Sequence, residues 1–248
     1  MLFTTEPLSI QVHPDDAFAQ SIGLPNGKTE AWYVLSAAPD ARVAVGLKRQ
    51  LTTSQLLSSI QDGSISDLVR WRHVAEDDVV FVPAGTIHAI GPGLVIAEIQ
   101  QRSDATFRLF DHGRQRELHV DNAVAAATAG PAARQSAPRR LTDARTLLVA
   151  SSPFVLERID LAPKSNWALH GERETWILIL KGQARIGLMN AFVGEAAFLE
   201  AERTRIQVGP AGLKGLLAYL GPVPIPDLLC NLDGPNEGAA GRTAEARP

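Results

Sequence analysis

Four side chains in the first half of the sequence can together complete the inner shell of one divalent metal ion: those of Gln11, His13, Glu30 and His88. They offer an amide oxygen, two imidazoles and a carboxylate, a set that suits zinc or a similar first-row ion. Gln11 and His13 are two residues apart, so on a strand both side chains point to the same face. We expect Glu30 and His88 to come from neighbouring strands. With one anionic ligand, the bound ion would keep positive charge and act as a Lewis acid at an open coordination position.

Two charged residues downstream interrupt apolar segments. Glu98 lies in the apolar run 94–99, where an unpaired carboxylate would be costly, and an ion pair with an arginine is the competing explanation. Arg108 alternates with Phe107 and Leu109, so on a strand it faces away from both. A β-sandwich interior that admits these two charges needs a polar cleft.

The elements that must position these residues are mostly strands. Short runs rich in β-branched residues are bounded by Gly, Pro, Asp or Asn, a pattern typical of a sandwich or barrel. The main interruption is helical. Thr52 or Thr53 can cap a helix that continues through Leu56 and Ile60, and a second helical piece is predicted over 66–72.

Composition predicts two domains. At 248 residues the chain exceeds the usual size of a single domain. The stretch 129–145 is rich in Ala, Pro and Arg without periodicity, which indicates a linker between a metal-binding domain (1–128) and a second, degenerate β domain (146–231). The Gly, Ala and charged residues of 232–248 predict a disordered tail.

The remaining histidines are given ordinary roles. A lone histidine in a β protein is usually hydrogen-bonded or exposed, and His73, His112 and His119 are assigned to that class. His170 and Glu174 precede an apolar strand and loosely echo the metal motif of the first half. They lack the partner histidines, so a surface histidine is the favoured interpretation and the second half is expected to be structural.

Charge and composition restrict the partners. A net charge of −3 gives no reason to expect nucleic acid or an anionic membrane, so an anionic ligand would need local Lys or Arg residues. The lone Cys230 excludes an internal disulfide and fits a reducing compartment. Neither a long apolar run nor a signal-peptide pattern is present, which favours a cytoplasmic protein. Monomer and homodimer both remain open.

Several longer stretches carry a family resemblance. They read, in order, PLSIQVHPDD, GKTEAWY, VPAGTIHAI, EIQQ and SDATFR, and they fall within about residues 1–125. By these stretches the sequence resembles the type I mannose-6-phosphate isomerase (phosphomannose isomerase) family of the cupin superfamily. The resemblance implies a mainly β fold, with two cupin or jelly-roll-like β units and a small helical insertion in the first.

The same resemblance implies roles for individual residues. Gln11, His13, Glu30 and His88 would bind one zinc ion per chain, and Arg108 falls on the family's catalytic arginine. Other positions that line the family's active site correspond to Ser9, Lys28, Glu98 and Asp104, and a basic residue near the substrate phosphate corresponds to Arg114.

The implied reaction is a zinc-dependent aldose–ketose isomerisation between mannose 6-phosphate and fructose 6-phosphate through a cis-enediol. In this hypothesis zinc polarises substrate oxygens and Arg108 stabilises the enediolate charge. Glu98 or Lys28 is the proton shuttle, and the sequence leaves both open. Arg114 would hold the phosphate, with Ser9 or Lys28 as further candidates.

Three other functions stay open on the sequence. One is a non-catalytic sugar-binding cupin, and another is an isomerase of a related sugar phosphate. A metal-dependent dioxygenase would need a redox metal, for which this ligand set gives no special reason. The resemblance also implies strands before the one that carries Gln11, so we expect either that 1–128 lacks the family's N-terminal strands or that the start site is misassigned. Activity lost or altered by such a truncation belongs to the first two of these alternatives.

Overall fold

A computed structural model of the chain describes residues 1–233. Within this range the protein is mainly β, with antiparallel strands and a few short helices, as the sequence predicts. The chain divides into two compact units, and the boundary lies between Ala137 and Pro138. No helix of the described range is long and apolar enough to cross a membrane.

The first unit is a pair of antiparallel sheets with helices. Its strands are β1 (Leu2–Thr4), β2 (Ile10–Val12), β3 (Glu30–Ala37), β4 (Arg42–Leu47), β5 (Val69–His73), β6 (Val79–Val82), β7 (His88–Ile90), β8 (Leu94–Gln100) and β9 (Phe107–Phe110). Its helices are α1 (Asp16–Ser21), α2 (Thr53–Gln61), α3 (Ile65–Leu68) and α4 (Val120–Ala126). One sheet has the order β1-β8-β3-β6 and the other has the order β5-β4-β7-β2-β9.

Apolar residues cover both faces of the five-stranded sheet. Towards the four-stranded sheet, Val43 and Ile90 pack in one buried cluster with Trp32 and Ile96. On the opposite face, a second cluster joins the strands to the helices and includes Leu47, Leu56, Ile60, Leu109 and Ala123. Side chains that leave the strands towards the first cluster therefore enter the interior between the two sheets.

The helical insertion is partly as predicted. Thr52 caps α2, because its hydroxyl accepts the Gln55 N–H and the Gln55 side chain accepts the Thr52 N–H. The prediction of a helix over 66–72 is wrong beyond Leu68. Residues from Val69 onward form β5, which pairs with β4 and alternates buried Val69 with exposed Arg70.

The second unit is built on one antiparallel sheet. Its strands are β10 (Arg139–Arg140), β11 (Arg145–Ala150), β12 (Phe154–Leu161), β13 (Asn166–His170), β14 (Thr175–Ile186), β15 (Met189–Phe192), β16 (Ala196–Leu199), β17 (Arg203–Leu220) and β18 (Leu229–Asn231). Alternate residues of its long strands, such as Val155, Ile177 and Leu217, form a buried core.

The stretch predicted as a linker, 129–145, contains regular structure. The Gly130 carbonyl accepts the Leu47 N–H inside the first unit, and Arg139–Arg140 pairs with the strand that Arg145 begins. Of the predicted tail 232–248, residues 234–248 lie outside the described residues. The Leu232 N–H donates to the Asn166 carbonyl, so the chain is still paired there.

Candidate metal centre

Three of the predicted metal ligands meet in the interior of the first unit. Ligand atoms of His13, Glu30 and His88 all lie within 4.8 Å of one another, and the three residues are buried. His88 begins β7 and His13 follows β2 in the five-stranded sheet, whereas Glu30 begins β3 in the other sheet. The expectation that Glu30 and His88 occupy neighbouring strands is therefore wrong. The cluster joins two facing sheets, and strand order between sheets cannot be read from sequence spacing.

A tight turn fixes His88 relative to His13. Gly85 adopts a φ of +81°, and a side chain there would bring Cβ to 3.1 Å from the Thr128 hydroxyl oxygen. The Gly85 N–H donates to the His13 carbonyl at 2.8 Å, and the Thr86 N–H donates to the Pro83 carbonyl at 3.1 Å. Residues 83–88, which read Pro-x-Gly-x-x-His, thus tie the main chain of His13 to the turn that carries His88.

Main-chain carbonyls orient both imidazoles. His13 Nδ1 lies 2.7 Å from the Ala105 carbonyl oxygen, and His88 Nδ1 lies 2.8 Å from that of Thr86. Because a carbonyl oxygen only accepts, each Nδ1 carries the hydrogen and each Nε2 of a neutral ring keeps its lone pair. Both Nε2 atoms lie 3.3 Å from an oxygen of the Glu30 carboxylate.

This arrangement fits a metal ion. Burial lowers the pKa of His88 to about 4, so its imidazole is neutral at neutral pH. Burial alone would raise the pKa of Glu30, but His13, His88 and Lys28 around it hold the value well below its usual range. Within residues 1–233, Oε2 of Glu30 accepts no hydrogen bond of regular geometry. Two imidazole lone pairs and a carboxylate facing one another at these distances form a donor set for a divalent cation.

Gln11 lies beside the cluster. It pairs with His88 across β2 and β7, and its Nε2 is 3.2 Å from His88 Nε2. Its Oε1 accepts a hydrogen bond from the Ser9 hydroxyl at 3.2 Å. Ligation through the amide oxygen would require the amide group to turn by about 180°, which exchanges two groups of the same size.

Lys28 and Glu98 border the same cluster. Lys28 Nζ is 3.1 Å from Glu30 Oε2, 3.3 Å from His13 Nε2 and 3.9 Å from Glu98 Oε1. Glu98 therefore has a lysine as its charge partner, where the sequence suggested an arginine. Burial and the neighbouring Glu30 carboxylate raise the pKa of Glu98 to about 8. The pair thus places one proton-carrying carboxyl and one ammonium group beside the candidate ligands.

Arg108 lies on the same sheet face as Gln11 and His88. Its position on β9 is directly opposite Gln11, which is in turn opposite His88. Phe107 and Leu109 are buried on the other face, as the alternation predicts. In the described part of the chain, the buried Nε of Arg108 has no hydrogen-bond partner. One N–H group of this guanidinium is therefore left unpaired by the described residues.

The other predicted substrate residues are distributed around this centre. Ser9 is buried next to Gln11, and Asp104 is exposed in the loop that joins β8 to β9. Arg114 is about one-third exposed, and its guanidinium donates to the Asp111 carboxylate and, at 2.9 Å, to the Pro7 carbonyl. The structure thus places Arg114 against the segment that leads into β2.

Comparison with known proteins points to one family. No protein-family model matches the chain. Its sequence is 39% identical over 154 residues to a mannose-6-phosphate isomerase of Streptococcus mutans, which covers 59% of the chain and 48% of that relative. It is 37% identical over 131 residues to a mannose-6-phosphate isomerase of Bacillus subtilis, and this match covers 50% of the chain and 41% of that relative. The chain is related to the mannose-6-phosphate isomerases.

Solved structures agree with that relationship. The crystal structure of the mannose 6-phosphate isomerase from Bacillus subtilis superposes with a TM-score of 0.74 at 25% identity, covering 87% of the chain and 72% of that structure. The structure of a putative mannosephosphate isomerase from Archaeoglobus fulgidus superposes with a TM-score of 0.69 at 17% identity, covering 88% of the chain and 69% of that structure. At this identity it shows the shared fold alone. The chain spans about half the length of the curated mannose-6-phosphate isomerases that it matches.

Several contacts around the centre are not predicted by the family motifs or by the types of the residues. The carbonyls of Thr86 and Ala105 are main-chain groups, which residue types do not reveal. Trp32 Nε1 donates to Glu30 Oε1 at 3.1 Å, and an i, i+2 spacing on a strand is the signal that could have suggested it. His119 is hydrogen-bonded, as the sequence predicts for an ordinary histidine, but the sequence does not identify its partner, the Arg108 main-chain N–H.

Proposed function

We propose that the chain is a zinc-dependent aldose–ketose isomerase that interconverts mannose 6-phosphate and fructose 6-phosphate through a cis-enediol. One observation carries the proposal: a buried His13, Glu30 and His88 cluster lies beside Arg108 in a chain related to mannose-6-phosphate isomerases. The ligand is therefore a small sugar phosphate. The lone Cys230 suits the reducing cytoplasm, where such phosphates are metabolised.

Gln11, His13, Glu30 and His88 would hold the metal. When bound, zinc supplies a Lewis acid that polarises substrate oxygens. The types of the donors suit zinc or a similar first-row ion, and two neutral imidazoles, an amide and a single carboxylate would leave the bound ion positively charged. Ser9 would act here through Gln11, because the turned amide would present its NH2 group to the Ser9 hydroxyl oxygen, which can accept from it.

Arg108 would stabilise the negative oxygen that develops as the enediolate forms. Its guanidinium leaves the strand on the face that carries Gln11 and His88, and its Nε–H has no partner among the described residues. A preorganised charged donor at such a position is a strong source of rate enhancement. Asp104 and Arg114 would contact the sugar phosphate, Arg114 through the part of its guanidinium that Asp111 does not hold.

Glu98 is the better placed proton carrier. Lys28 is held close to both Glu30 and His13, whereas Glu98 contacts neither imidazole among the described contacts and keeps 18% of its side chain exposed. A shuttle must reach the substrate carbon-bound proton, so the more accessible carboxyl suits that task. Lys28 would then balance the charge of the Glu30 carboxylate.

The proposal is tested by a coupled isomerase assay on the chain. Purified protein should convert mannose 6-phosphate to fructose 6-phosphate, lose activity with a chelator and regain it with zinc. Arg108→Ala should lower kcat by roughly 100-fold or more. His170→Ala, which alters a histidine of the second unit, is the matched control and should leave kcat unchanged.

A non-catalytic sugar-binding protein is the alternative outcome. Calorimetric binding of mannose 6-phosphate by the metal-loaded protein without turnover would favour it and refute the isomerase. Turnover of another hexose 6-phosphate with no activity on mannose 6-phosphate would instead change the substrate.

A further inference from the structure

Three hydrogen bonds join Arg108 to a segment that lies nine to eleven residues further along the chain. The Arg108 main-chain N–H donates to His119 Nδ1 at 3.1 Å. The His119 main-chain N–H donates to the Arg108 carbonyl at 2.9 Å. The Arg108 Nη1 group donates to the Glu117 carbonyl at 2.6 Å.

These bonds complete an edge strand. β9 is the last strand in the order β5-β4-β7-β2-β9, so it has a strand neighbour on one side. Main-chain groups on the free side of an edge strand normally lack a partner in the sheet. At Arg108, His119 takes the place of a neighbouring strand, accepting through its ring and donating through its main chain.

The His119 ring has no role in the helix that follows it. His119 is the N-cap residue of α4, and it makes no side-chain capping hydrogen bond. Asn, Asp, Ser or Thr is the usual choice when the cap itself needs stabilisation. The imidazole is directed to the main chain of Arg108 and also lies edge-on to Phe107, with ring centroids 6.3 Å apart.

We propose that His119 is a positioning residue for Arg108 in the isomerisation proposed above, on which the inference rests. Its neutral Nδ1 fixes the main chain of Arg108, while the Glu117 carbonyl fixes one end of the guanidinium. The Nε–H, which has no partner within the described residues, is then held in one direction. His119 itself does not touch the substrate.

Kinetics of two substitutions test this role. His119→Ala removes the acceptor, and His119→Asn keeps one, because the Asn side-chain oxygen can occupy a place similar to that of Nδ1. We expect His119→Ala to lower kcat roughly 10- to 100-fold, since a small displacement of a catalytic group has effects of this size. KM should change by less than about threefold, and His119→Asn should recover most of kcat.

A double-mutant cycle separates positioning from general stability. If His119 acts through the Arg108 guanidinium, His119→Ala should cause little further loss in an Arg108→Ala background. Additive losses would overturn the proposal. So would an unchanged kcat for His119→Ala, or a loss that parallels a fall in zinc content and melting temperature.

A spectroscopic measurement does not depend on activity. In the ¹⁵N spectrum of the imidazoles, the ring signal that is lost in His119→Asn should have an unprotonated Nδ1 and a protonated Nε2. His112, whose Nε2 donates to the Leu8 carbonyl, should show the same tautomer in both proteins. A protonated Nδ1 at His119 would contradict the hydrogen bond and overturn the proposal. If the parent chain shows no isomerase activity, the proposed function fails, whereas the tautomer still decides whether His119 holds Arg108.

Discussion

At the scale of single residues, the candidate metal site depends on main-chain carbonyls. Thr86 lies two residues before His88 in the same turn, and its carbonyl fixes the hydrogen on His88 Nδ1. Ala105 provides the same contact to His13 from the loop before β9. Outer hydrogen bonds of this kind set the tautomer and orientation of a ligating histidine. The two imidazoles are thus oriented before any ion binds.

Trp32→Phe should weaken zinc binding. The indole N–H donates to Glu30 Oε1 at 3.1 Å, and Phe keeps an aromatic ring while it removes that donor. Loss of an outer partner of a metal ligand typically costs about 10- to 100-fold in affinity, and we expect the lower end of that range. Competition with a chromophoric chelator measures the dissociation constant.

The control for this experiment is Trp71→Phe. Trp71 lies on β5 in the same unit, where the Arg42 guanidinium carbon is 5.1 Å from its ring centroid, and it makes no contact with Glu30 among the described contacts. The Trp71→Phe protein should bind zinc with the same affinity as the parent chain. Equal affinities for all three proteins would exclude a role for the indole N–H in holding Glu30.

The sequence predicted which residue types converge, but not every contact between them. His13, Glu30 and His88 each lie in a short motif whose local geometry is strongly restricted, so their convergence could be anticipated. The position of Glu30 on the opposite sheet could not, because spacing does not specify how two sheets face each other. The role of His119 depends on the end of β9 at a sheet edge, which is also a property of the tertiary fold.

At the scale of elements, the loop that follows β9 returns the chain to Arg108. The buried Asp111 carboxylate accepts hydrogen bonds from Arg114 and Arg116, which closes the loop soon after it leaves the strand. Glu117 and His119 then come back against β9. The loop is therefore part of the apparatus that holds the proposed catalytic arginine.

Asp111→Asn should change the dependence of stability on pH. Hydrogen bonds from Arg116 and Arg114 lower the pKa of Asp111 from 3.8 to about 2. Because the folded-state pKa is depressed, the carboxylate stabilises the fold above its unfolded pKa, and this contribution is lost as pH falls from 3.8 to about 2. The substituted protein should be less stable at pH 6 and should lose less stability than the parent on acidification.

Urea unfolding at neutral pH and near pH 3 measures this difference. Asp143→Asn is the control, since Asp143 pairs with Arg140 at a fully exposed position where ion pairs contribute little. It should reproduce the pH dependence of the parent chain. An Asp111→Asn protein with the same acid dependence as the parent would show that this carboxylate does not couple folding to pH.

Helix α2 and strand β5 show where the local sequence pattern predicts secondary structure correctly and where it does not. The sequence predicts a cap at Thr52 or Thr53, and the structure has it at Thr52 as a reciprocal capping box with Gln55, which is complete within four residues. The run 66–72 was predicted helical, yet Val69 begins β5. Its pairing with β4 includes Trp71 opposite Ala44, a contact distant in sequence that outweighs local propensity.

At the scale of the whole molecule, the candidate chemistry belongs to the first unit. Within residues 1–233, the cluster of possible metal-ligating side chains is that of His13, Glu30 and His88. The second unit has a different polar centre, an ion pair inside its apolar core. Arg145 donates through Nε and Nη2 to both oxygens of Glu157, each at 2.8 Å, and both residues are almost fully buried.

This centre connects the core to the segment after β17. The Tyr219 hydroxyl donates to Glu157, and the Ile225 N–H donates to the same hydroxyl at 3.2 Å. Arg145 also donates to the carbonyls of Ile225 and, at 2.6 Å, Pro226. Every group of the network is paired, so removal of one member leaves a buried charge or donor without a partner.

Glu157→Gln should therefore destabilise the second unit without removing a metal ligand. The substitution keeps the volume of the side chain but leaves Arg145 as a buried charge without its counter-ion, a change that typically costs about 3–5 kcal/mol. Hydrogen exchange in peptides from β12 and β17 should accelerate accordingly. Zinc should still bind at one ion per chain, since the proposed ligands all lie in the first unit.

Asp160→Asn on the same strand provides the matched comparison. Asp160 pairs with Arg158 at a half-exposed position, and loss of such a surface pair changes stability by less than about 1 kcal/mol. Tyr219→Phe should have an intermediate effect, because it removes one hydrogen bond to the carboxylate and leaves the ion pair in place. Equal exchange rates in Glu157→Gln and Asp160→Asn would mean that the buried pair adds no more to the stability of the second unit than an exposed one.

Loss of zinc from Glu157→Gln at temperatures where the first unit stays folded would contradict the assignment of the metal site to the first unit alone.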